Sequence, residues 1–415
     1  MLTSLRKTYR AFPSTFWVVV ITSFIDAVGG TLLFPFFALY ITERFGVGMT
    51  QAGILLGMSS LFGLGGSVIG GGLTDRLGRR RLIIAGLVLS AASTLAFGMV
   101  TDLAALYPVT AVVGLLSGVA HPAHHAMVAD LLPEDKRQEG FGILRVVGNL
   151  AWIIGPTIGG VVAARSFFAL FVTDAVVSCF VAALVFRLIP ETKPQEPPDA
   201  APQSWVETFS GYKIVIRDSG FMSFLGATIL MMMVYQQMYS SLSVYLRDAH
   251  HMDPSGYGYL LTASAITVVL LQFSVSRLIR TRPLFLMMAA GTLFYMFGFG
   301  MFGFVSGFGL FVAAMVVITF GEMIVVPTSQ TLAADFAPED MRGRYMAAFG
   351  LSWSIPATVS PGAAGLILDN FDPNLLWYAG AVLCAVSALS FVSLHWRYGA
   401  QKRFTPAVQA EPGQL

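Results

Sequence analysis

The sequence predicts an all-α membrane protein whose twelve transmembrane helices form two pseudo-symmetric six-helix bundles. Three observations predict this fold. Of the 415 residues, 55% are hydrophobic and only 12% are charged, whereas soluble domains are about 25% charged. The apolar residues are grouped into twelve long runs. A nine-residue phrase also occurs twice, at 129–137 and at 334–342, which indicates that the chain consists of two similar halves.

The twelve apolar runs have the length of membrane helices. A helix needs roughly 20 apolar residues to cross the hydrocarbon core, whereas a barrel strand needs about 9–11. When the runs are threaded alternately through a bilayer with the N-terminus in the cytoplasm, all but four of the 25 Lys and Arg residues face the cytoplasm. The exceptions are Arg44, Arg165 and Arg247 on the opposite side and Arg145 inside a run. This bias predicts a multi-pass plasma-membrane protein with both termini in the cytoplasm.

The offset between the two copies of the repeated phrase also relates other, distant parts of the chain. Both copies read Ala-Asp-x-x-Pro-Glu-Asp-x-Arg, and the same offset places Gly155-Pro156 on Ser360-Pro361 and Cys179 on Cys384. A local coincidence would not extend over several segments. Parallel repeats of several spans each are an architecture of secondary transporters, in which the substrate site lies near the membrane midplane between the halves.

The repeat and one proline-rich interval predict the domain organisation. We expect an N-terminal six-helix bundle at 1–189, a cytoplasmic linker at 190–219, a C-terminal six-helix bundle at 220–398 and a disordered cytoplasmic tail at 399–415. Within the linker, a capping-box pattern begins at Ser204 and is followed by apolar residues at helical spacing. The linker is therefore expected to contain a short amphipathic helix at the membrane surface.

The segment between the second and third runs carries a family signature. Residues 71–80 read Gly-Gly-Leu-Thr-Asp-Arg-Leu-Gly-Arg-Arg, which resembles the G-x-x-x-D-R-x-G-R-R signature of the major facilitator superfamily at every defining position. Glycines let helices approach closely, and carboxylates and arginines form charge-assisted hydrogen bonds. The residues that we interpret as a conformational latch are Gly71, Asp75, Arg76, Gly78 and Arg79. The alternative is a tight cytoplasmic turn that collects arginines without a special role.

The fifth apolar run resembles a second signature, which is found in drug–proton antiporters within that superfamily. Residues 155–160 read Gly-Pro-Thr-Ile-Gly-Gly, although Ala151 stands where the pattern has a glycine. Because Pro156 removes a helical hydrogen bond and Gly155 permits close packing, we expect a bend at a moving helix contact that belongs to the latch. The sequence departs from these antiporters in the fourth run, where residues 112–118 include no basic residue.

The resemblance implies a twelve-helix transporter that works by alternating access, with two bundles rocking about a central cavity. It favours proton-coupled efflux of small hydrophobic or cationic compounds. The departure in the fourth run leaves open an importer, or a lipid or metabolite exporter, with different or no proton coupling. A non-transporting membrane sensor is a more remote alternative. No nucleophile–base pair, metal cluster or phosphate-binding loop in the sequence predicts an enzyme.

Three charged residues lie inside the apolar runs: Asp26, Arg145 and Glu322. Burying such a residue at the centre of a span costs about 2.5–3.5 kcal/mol on insertion scales, so each is a candidate for function. We expect Asp26 to bind a proton or another cation, with Arg145 as its counter-charge. Glu322 would be a second carboxylate in the opposite half. The alternative is that these residues form buried ion pairs that do not titrate during transport.

A substrate cavity is expected where aromatic and polar side chains occur together inside the membrane. Its predicted lining is Phe36, His124, His125, Asn149, Tyr235, Gln236, Gln237 and Tyr239. Aromatic surfaces and nearby methionines adapt to varied apolar ligands, and amides add directional hydrogen bonds. The alternative for a single aromatic residue is packing against lipid or a neighbouring helix, and the alternative for the histidines is ordinary hydrogen bonding.

The expected partners are the lipid bilayer, a small amphipathic substrate and protons. The formal net charge of +2 is too small to indicate nucleic-acid binding. The histidine group around Pro122 has no nearby carboxylate or cysteine, so the sequence predicts neither a metal site nor a cofactor. We expect the protein to be a monomer.

Overall fold

The computed structural model describes residues 11–193, 213–338 and 341–401, apart from the side chains at 75, 134, 135, 138 and 343. These residues form helices joined by short turns, and no strand occurs among them. The predicted amphipathic helix of the linker lies mainly outside the described residues, although 213–217 is helical. The predicted disordered tail lies outside them from residue 402 onward.

The described helices are α1 (Ser14–Leu33), α2 (Phe37–Phe45), α3 (Met49–Leu77), α4 (Arg79–Met99), α5 (Leu103–Val119), α6 (His121–Leu131), α7 (Glu134–Ala163), α8 (Phe167–Leu188), α9 (Ser219–Tyr235), α10 (Gln237–Ser240), α11 (Leu242–His250), α12 (Pro254–Ile279), α13 (Leu284–Met301), α14 (Phe308–Phe336), α15 (Arg342–Asn370) and α16 (Leu375–Tyr398).

Twelve candidate membrane spans are built from these helices, which confirms the prediction of twelve. The first span joins α1 and α2, the fourth joins α5 and α6, and the seventh joins α9 and α10. The helices α3, α4, α7, α8 and α12–α16 each form one further span. The protein is thus an all-α membrane protein with twelve spans.

Prolines account for two of the interruptions inside spans. A 3-10 turn at Phe34–Phe36, which contains Pro35, separates α1 from α2. Pro122 stands in the first turn of α6, directly after the break that ends α5. Proline lacks a backbone N–H and clashes with the preceding turn, so a helix is interrupted or restarted where it occurs. Pro156 is accommodated inside α7 without a break.

The chain divides into two compact units. Unit 1 comprises Met1–Val47, Ile54–Pro198 and Asp253–Tyr259, and unit 2 comprises Gly48–Gly53, Asp199–Met252 and Leu260–Leu415. The main division of the chain therefore lies within the predicted linker.

In unit 1, α8 packs against both α1 and α4, and α1 also packs along α7. Phe16, Leu82 and Val181 are fully or almost fully buried where these helices and α6 meet. Apolar packing on this scale fixes the helix positions, and with them the polar side chains that project between the helices. The residues carried inward by α1, α4 and α8 become neighbours.

In unit 2, α13 packs along α14 and α16, while α9 packs against α15 and α16. The core between them is aromatic: the rings of Phe224 and Phe336 stack with their centroids 5.6 Å apart, and Phe224 stacks on Phe349 at 6.0 Å. Aromatic pairs bury large areas and prefer such specific arrangements. This core places the inward faces of α9, α13 and α14 next to one another.

Candidate functional site

Unit 1 contains a pair of carboxylates between α1 and α8. Asp26 lies on α1 and is half-buried, and Asp174 lies on α8 and is only 7% exposed. The two groups are close enough for Asp174 to act electrostatically on Asp26. Thr94 on α4 hydrogen-bonds Asp174 through its hydroxyl. Three helices therefore contribute oxygen atoms to one site.

Gly29 makes room for this carboxylate pair one turn along α1 from Asp26. A Cβ at Gly29 would lie 3.1 Å from Oδ1 of Asp174 and 3.0 Å from Cγ1 of Val177, so a larger residue would press on the Asp174 side chain. Two carboxylates in such a low-dielectric site repel each other when both are ionised, and a shared proton or a bound cation relieves that repulsion. The arrangement is suited to exchanging one positive charge for another.

Sequence reasoning missed Asp174. The rule that selected Asp26, a charged residue inside an apolar run, applies equally to Asp174, which lies eight residues into α8. The predicted counter-charge Arg145 lies on α7 and is exposed. Another carboxylate, Asp174, acts electrostatically on Asp26.

Unit 2 contains a different cluster around Glu322, which lies on α14 and is half-buried. Tyr235 on α9 hydrogen-bonds the Glu322 carboxylate, and the hydroxyls of Tyr235 and Tyr239 lie 3.3 Å apart. The ring of Tyr295, on α13, lies 5.5 Å from that of Tyr235 between centroids. Glu322 also acts electrostatically on Tyr239 and Tyr295. A carboxylate is thus surrounded by three phenol groups.

Two members of the Glu322 cluster were not predicted from the sequence. Tyr295 is completely buried, yet its hydroxyl has no hydrogen-bond partner among the described residues. Trp353 on α15 is 41% exposed and contacts Tyr235 edge-on at 6.1 Å between ring centroids. Neither residue belongs to a motif, and only the packing of α13 and α15 against α9 brings them to Glu322.

The two predicted cavity glutamines have different surroundings. Gln237 is buried and donates hydrogen bonds to the carbonyl oxygens of Met233 at 3.0 Å and Ser360 at 3.1 Å. Its Oε1 accepts a hydrogen bond from Ser241 at 2.7 Å. These bonds join α10 to α15, so Gln237 holds the interrupted seventh span in place. Gln236 is half-buried at the break between α9 and α10.

The other predicted cavity residues do not form one cluster. Phe36 is fully buried and packs edge-on against Tyr257 at 5.5 Å between centroids. His124 is half-buried, whereas His125 is exposed and stacks on Phe141. Asn149 is exposed on α7. Among the residues that the structure describes, no group of three or more His, Cys, Asp and Glu side chains could hold a metal ion.

The predicted latch forms a charged network at one end of unit 1. Nε of Arg79 lies 2.9 Å from Oδ2 of Asp130, and Arg79 also donates to the Thr74 carbonyl oxygen at 3.3 Å. Asp130 belongs to the first copy of the repeated phrase. Arg76 is exposed and its carbonyl oxygen accepts from Lys193. Gly71 is half-buried, and the side chain of Asp75 lies outside the described part of the chain.

Glu191 closes this network by capping the first turn of α4. Its Oε1 accepts from the backbone N–H groups of Arg79 at 2.8 Å and Arg80 at 3.3 Å. Burial acts to raise the pKa of Glu191, but these backbone hydrogen bonds outweigh it and hold the pKa below its ordinary value. Gly78 has φ +93°, and a Cβ there would lie 2.6 Å from Oε2 of Glu191. Glycine is therefore required at this turn for conformation and for space.

The glycine–proline segment of α7 lies against α1. A Cβ at Gly155 would overlap the Thr31 hydroxyl, and Thr31 donates a hydrogen bond to the Ala151 carbonyl oxygen at 3.0 Å. Pro156 follows inside the same helix. The segment brings the α7 backbone close to α1, which also carries Asp26. A change in this helix contact would reach the carboxylate pair through α1.

Comparison with known proteins identifies the family. The model of the Major Facilitator Superfamily matches residues 19–361. The chain is 28% identical over 357 residues to the Na(+), Li(+), K(+)/H(+) antiporter of Planococcus maritimus, covering 80% of this chain and 84% of that protein. It is 24% identical to the multidrug resistance protein MdtH of Cronobacter sakazakii, covering 94% of this chain and 96% of that relative.

Solved structures show the same fold. A POT family transporter in complex with 5-aminolevulinic acid superposes with a TM-score of 0.78 at 16% identity, covering 93% of this chain and 96% of that one. A mutant of the nucleoside transporter NupG gives a TM-score of 0.74 at 15% identity, covering 92% of this chain and 100% of that one. At these identities the likeness concerns the fold alone.

Proposed function

We propose that this chain, which belongs to the Major Facilitator Superfamily of secondary transporters, exports small hydrophobic or cationic compounds in exchange for protons by alternating access. Both termini would lie in the cytoplasm, and the plasma membrane would be the site of action. The pair formed by Asp26 and Asp174 is the observation that carries this proposal.

The carboxylate pair supplies a chemical basis for exchange. With one proton on the pair, the repulsion between Asp26 and Asp174 is absent and the site is stable in its apolar surroundings. When that proton leaves, the pair gains a negative charge that a second positive group can neutralise. A site that favours one added positive charge at a time takes up and releases single protons, as proton-coupled exchange requires. The Thr94 hydroxyl orients Asp174 for this role.

The latch network and the α1–α7 contact suit a change of conformation. The bond between Arg79 and Asp130 and the Glu191 cap are charge-assisted hydrogen bonds at a helix end, which can hold one conformation until the helices move. The named relatives support the antiport direction, since one is a cation/proton antiporter and another is a multidrug resistance protein. The fourth span has no basic residue at 112–118, which favours coupling through carboxylates instead.

Inside-out membrane vesicles with a respiration-generated acidic interior would test the proposal. Addition of a transported compound should dissipate the pH gradient. The fluorescence of an acridine dye reports this change. Asp26→Asn and Asp174→Asn should each abolish this response because the pair can no longer exchange a charge. Glu139→Gln, which changes an exposed carboxylate on the same unit, should respond as the wild type does. Wild-type responses from both Asn variants would exclude the carboxylate pair as the coupling site.

A second candidate function is the exchange of protons for alkali-metal cations. It is favoured by the oxygen-only composition of the site, which combines two carboxylates with the Thr94 hydroxyl, because hard cations prefer oxygen ligands. The relative from Planococcus maritimus bears that activity in its name. Adding Na⁺, Li⁺ or K⁺ to the same vesicles separates the two candidates: dissipation by these ions but by no organic compound would favour the second.

A further inference from the structure

We propose that the Glu322 cluster of unit 2 is the binding site for the substrate's charged group, and that this group is a protonated primary amine. The proposal rests on the function proposed above and deepens it by naming a substrate class and its contacts. It assigns Glu322 to the substrate and leaves proton exchange to the carboxylate pair of unit 1.

The charge of the Glu322 site indicates which ligand it favours. Among the described residues, the groups that interact with Glu322 are tyrosines, which are neutral hydrogen-bonding partners. A carboxylate in a membrane interior needs a counter-charge or a proton to be stable. Glu322 is half-buried, and the charged group of a bound ligand would supply that charge. The site therefore favours a cation.

One hydroxyl of the Glu322 cluster has unused hydrogen-bonding capacity. Tyr295 is fully buried and its hydroxyl has no hydrogen-bond partner among the described residues, although buried polar groups are normally paired. Glu322 acts electrostatically on this hydroxyl. A primary ammonium group has three N–H donors, so it can donate to the Glu322 carboxylate and to the Tyr295 oxygen at once. A quaternary ammonium ion has none and would leave Tyr295 unpaired.

Aromatic rings make up a large part of the Glu322 cluster. The ring centroid of Tyr235 lies 5.7 Å from that of Tyr239, 5.5 Å from that of Tyr295 and 6.1 Å from that of Trp353. Aromatic rings attract cations through their π faces and pack against the carbon atoms that carry the charge. A bare alkali-metal ion would use only the oxygen atoms of this cluster. An organic amine uses both its oxygens and its rings.

Equilibrium binding of two matched cations would test this assignment. Benzylamine, protonated at neutral pH, and benzyltrimethylammonium share the ring and the charge but differ in their N–H donors. Isothermal titration with the purified full chain in lipid nanodiscs should show that Tyr295→Phe weakens benzylamine binding about tenfold, the typical effect of losing one hydrogen bond to a charged group. Benzyltrimethylammonium binding should be unchanged by the same substitution.

Two further variants complete the design. Glu322→Gln should weaken both cations, because it removes the charge that each of them neutralises. Tyr259→Phe removes a hydroxyl from an exposed tyrosine outside the cluster and should leave both affinities unchanged. Wild-type benzylamine affinity in Tyr295→Phe would overturn the proposal, as would equal losses for the two cations in that variant. Thermal unfolding of each variant shows whether it is folded, and Tyr295→Phe keeps the ring and its packing.

This experiment uses no pH gradient, so its result is separable from the test of proton coupling. If amine binding depends on Glu322 and Tyr295 but the chain does not dissipate a pH gradient, this site is retained and the antiport mechanism is rejected. If gradient dissipation depends on Asp26 and Asp174 but amine binding does not depend on Tyr295, the antiport mechanism is retained and this site is rejected.

Discussion

Single side chains in this protein acquire their roles from the helices that face them. Asp174 is the only acidic residue of α8, and it becomes a candidate coupling group because α1 brings Asp26 beside it and α4 brings Thr94. The sequence contained the signal for Asp174, since a carboxylate inside an apolar run is conspicuous. It contained no signal for the pairing, because residues 26, 94 and 174 are far apart in the chain.

The Thr94 hydroxyl gives a prediction at this scale. Thr94→Val removes the hydroxyl but keeps the shape of the side chain, so Asp174 loses a hydrogen bond and its orientation toward Asp26. We expect proton-coupled transport in vesicles to fall roughly five- to tenfold, as for the loss of one hydrogen bond of about 1–1.5 kcal/mol. Thr94→Ser keeps the hydroxyl and should retain most of the activity. Equal losses in the two variants would show that the methyl group, and not the hydroxyl, matters.

The unpaired Tyr295 hydroxyl shows what cannot be predicted at this scale. Its position in the chain gives no reason to separate it from the other tyrosines of the apolar runs. Whether a buried hydroxyl finds a partner depends on atoms contributed by α9 and α14, which pack together only in the folded protein. Gln237 is the opposite case. It was expected in a substrate cavity, but its amide hydrogen-bonds the α15 backbone.

Helix pairs in unit 1 depend on glycines that admit a neighbouring backbone. A Cβ at Gly66 on α3 would overlap the carbonyl oxygen of Leu115 on α5, and a Cβ at Gly118 on α5 would overlap that of Gly63 on α3. Small residues are the usual means of close packing between membrane helices, because lipid provides no hydrophobic driving force for their association. The spans that contain α3 and α5 are therefore held together by close backbone packing at these glycines.

A pair of adjacent glycines on α3 tests this packing. Gly66→Ala places a methyl group against backbone, which cannot move aside as a side chain could, so we expect a loss of about 1–3 kcal/mol of folding free energy. Gly65→Ala is the matched control, since its Cβ would lie 3.8 Å from Cδ1 of Leu115, an ordinary van der Waals contact.

Thermal unfolding of the purified variants, followed by fluorescence, is the measurement. Gly66→Ala should unfold at a lower temperature than the wild type, and Gly65→Ala should match the wild type or exceed it, because alanine favours a helix over glycine by about 1 kcal/mol. Similar melting temperatures for the two variants would mean that α3 and α5 are not packed as described.

The architecture of the whole molecule was the most predictable property. Twelve spans follow from apolar length alone, and the repeated phrase identifies two related halves without reference to any contact. The functional clusters do not follow the repeat. Unit 1 pairs two carboxylates with a threonine, whereas unit 2 surrounds one glutamate with tyrosines. The two units therefore differ in the chemistry of their interiors, and a duplication in sequence cannot reveal that difference.

The predicted topology is a property of the whole chain that can be measured directly. The turn between α7 and α8 should lie outside the cell and the segment after α8 inside, because the basic residues place both termini in the cytoplasm. Arg165→Cys and Lys193→Cys introduce exposed thiols at these two places. A membrane-impermeant maleimide added to intact cells should label Arg165→Cys and leave Lys193→Cys unlabelled, and both should react after the cells are opened.

The native cysteines permit this experiment without further substitutions. Cys384 is buried, and Cys179 lies in the middle of α8, where its exposed surface faces hydrocarbon in the membrane. A membrane-impermeant maleimide stays in water and does not reach a thiol in the middle of a span, so the wild-type chain should give only background labelling in intact and opened cells alike. Labelling of Lys193→Cys but not Arg165→Cys in intact cells would invert the topology. Export would still be expected, because an antiporter runs in the direction that the proton gradient drives whichever way the chain is inserted, but the assignment of both termini to the cytoplasm would be wrong.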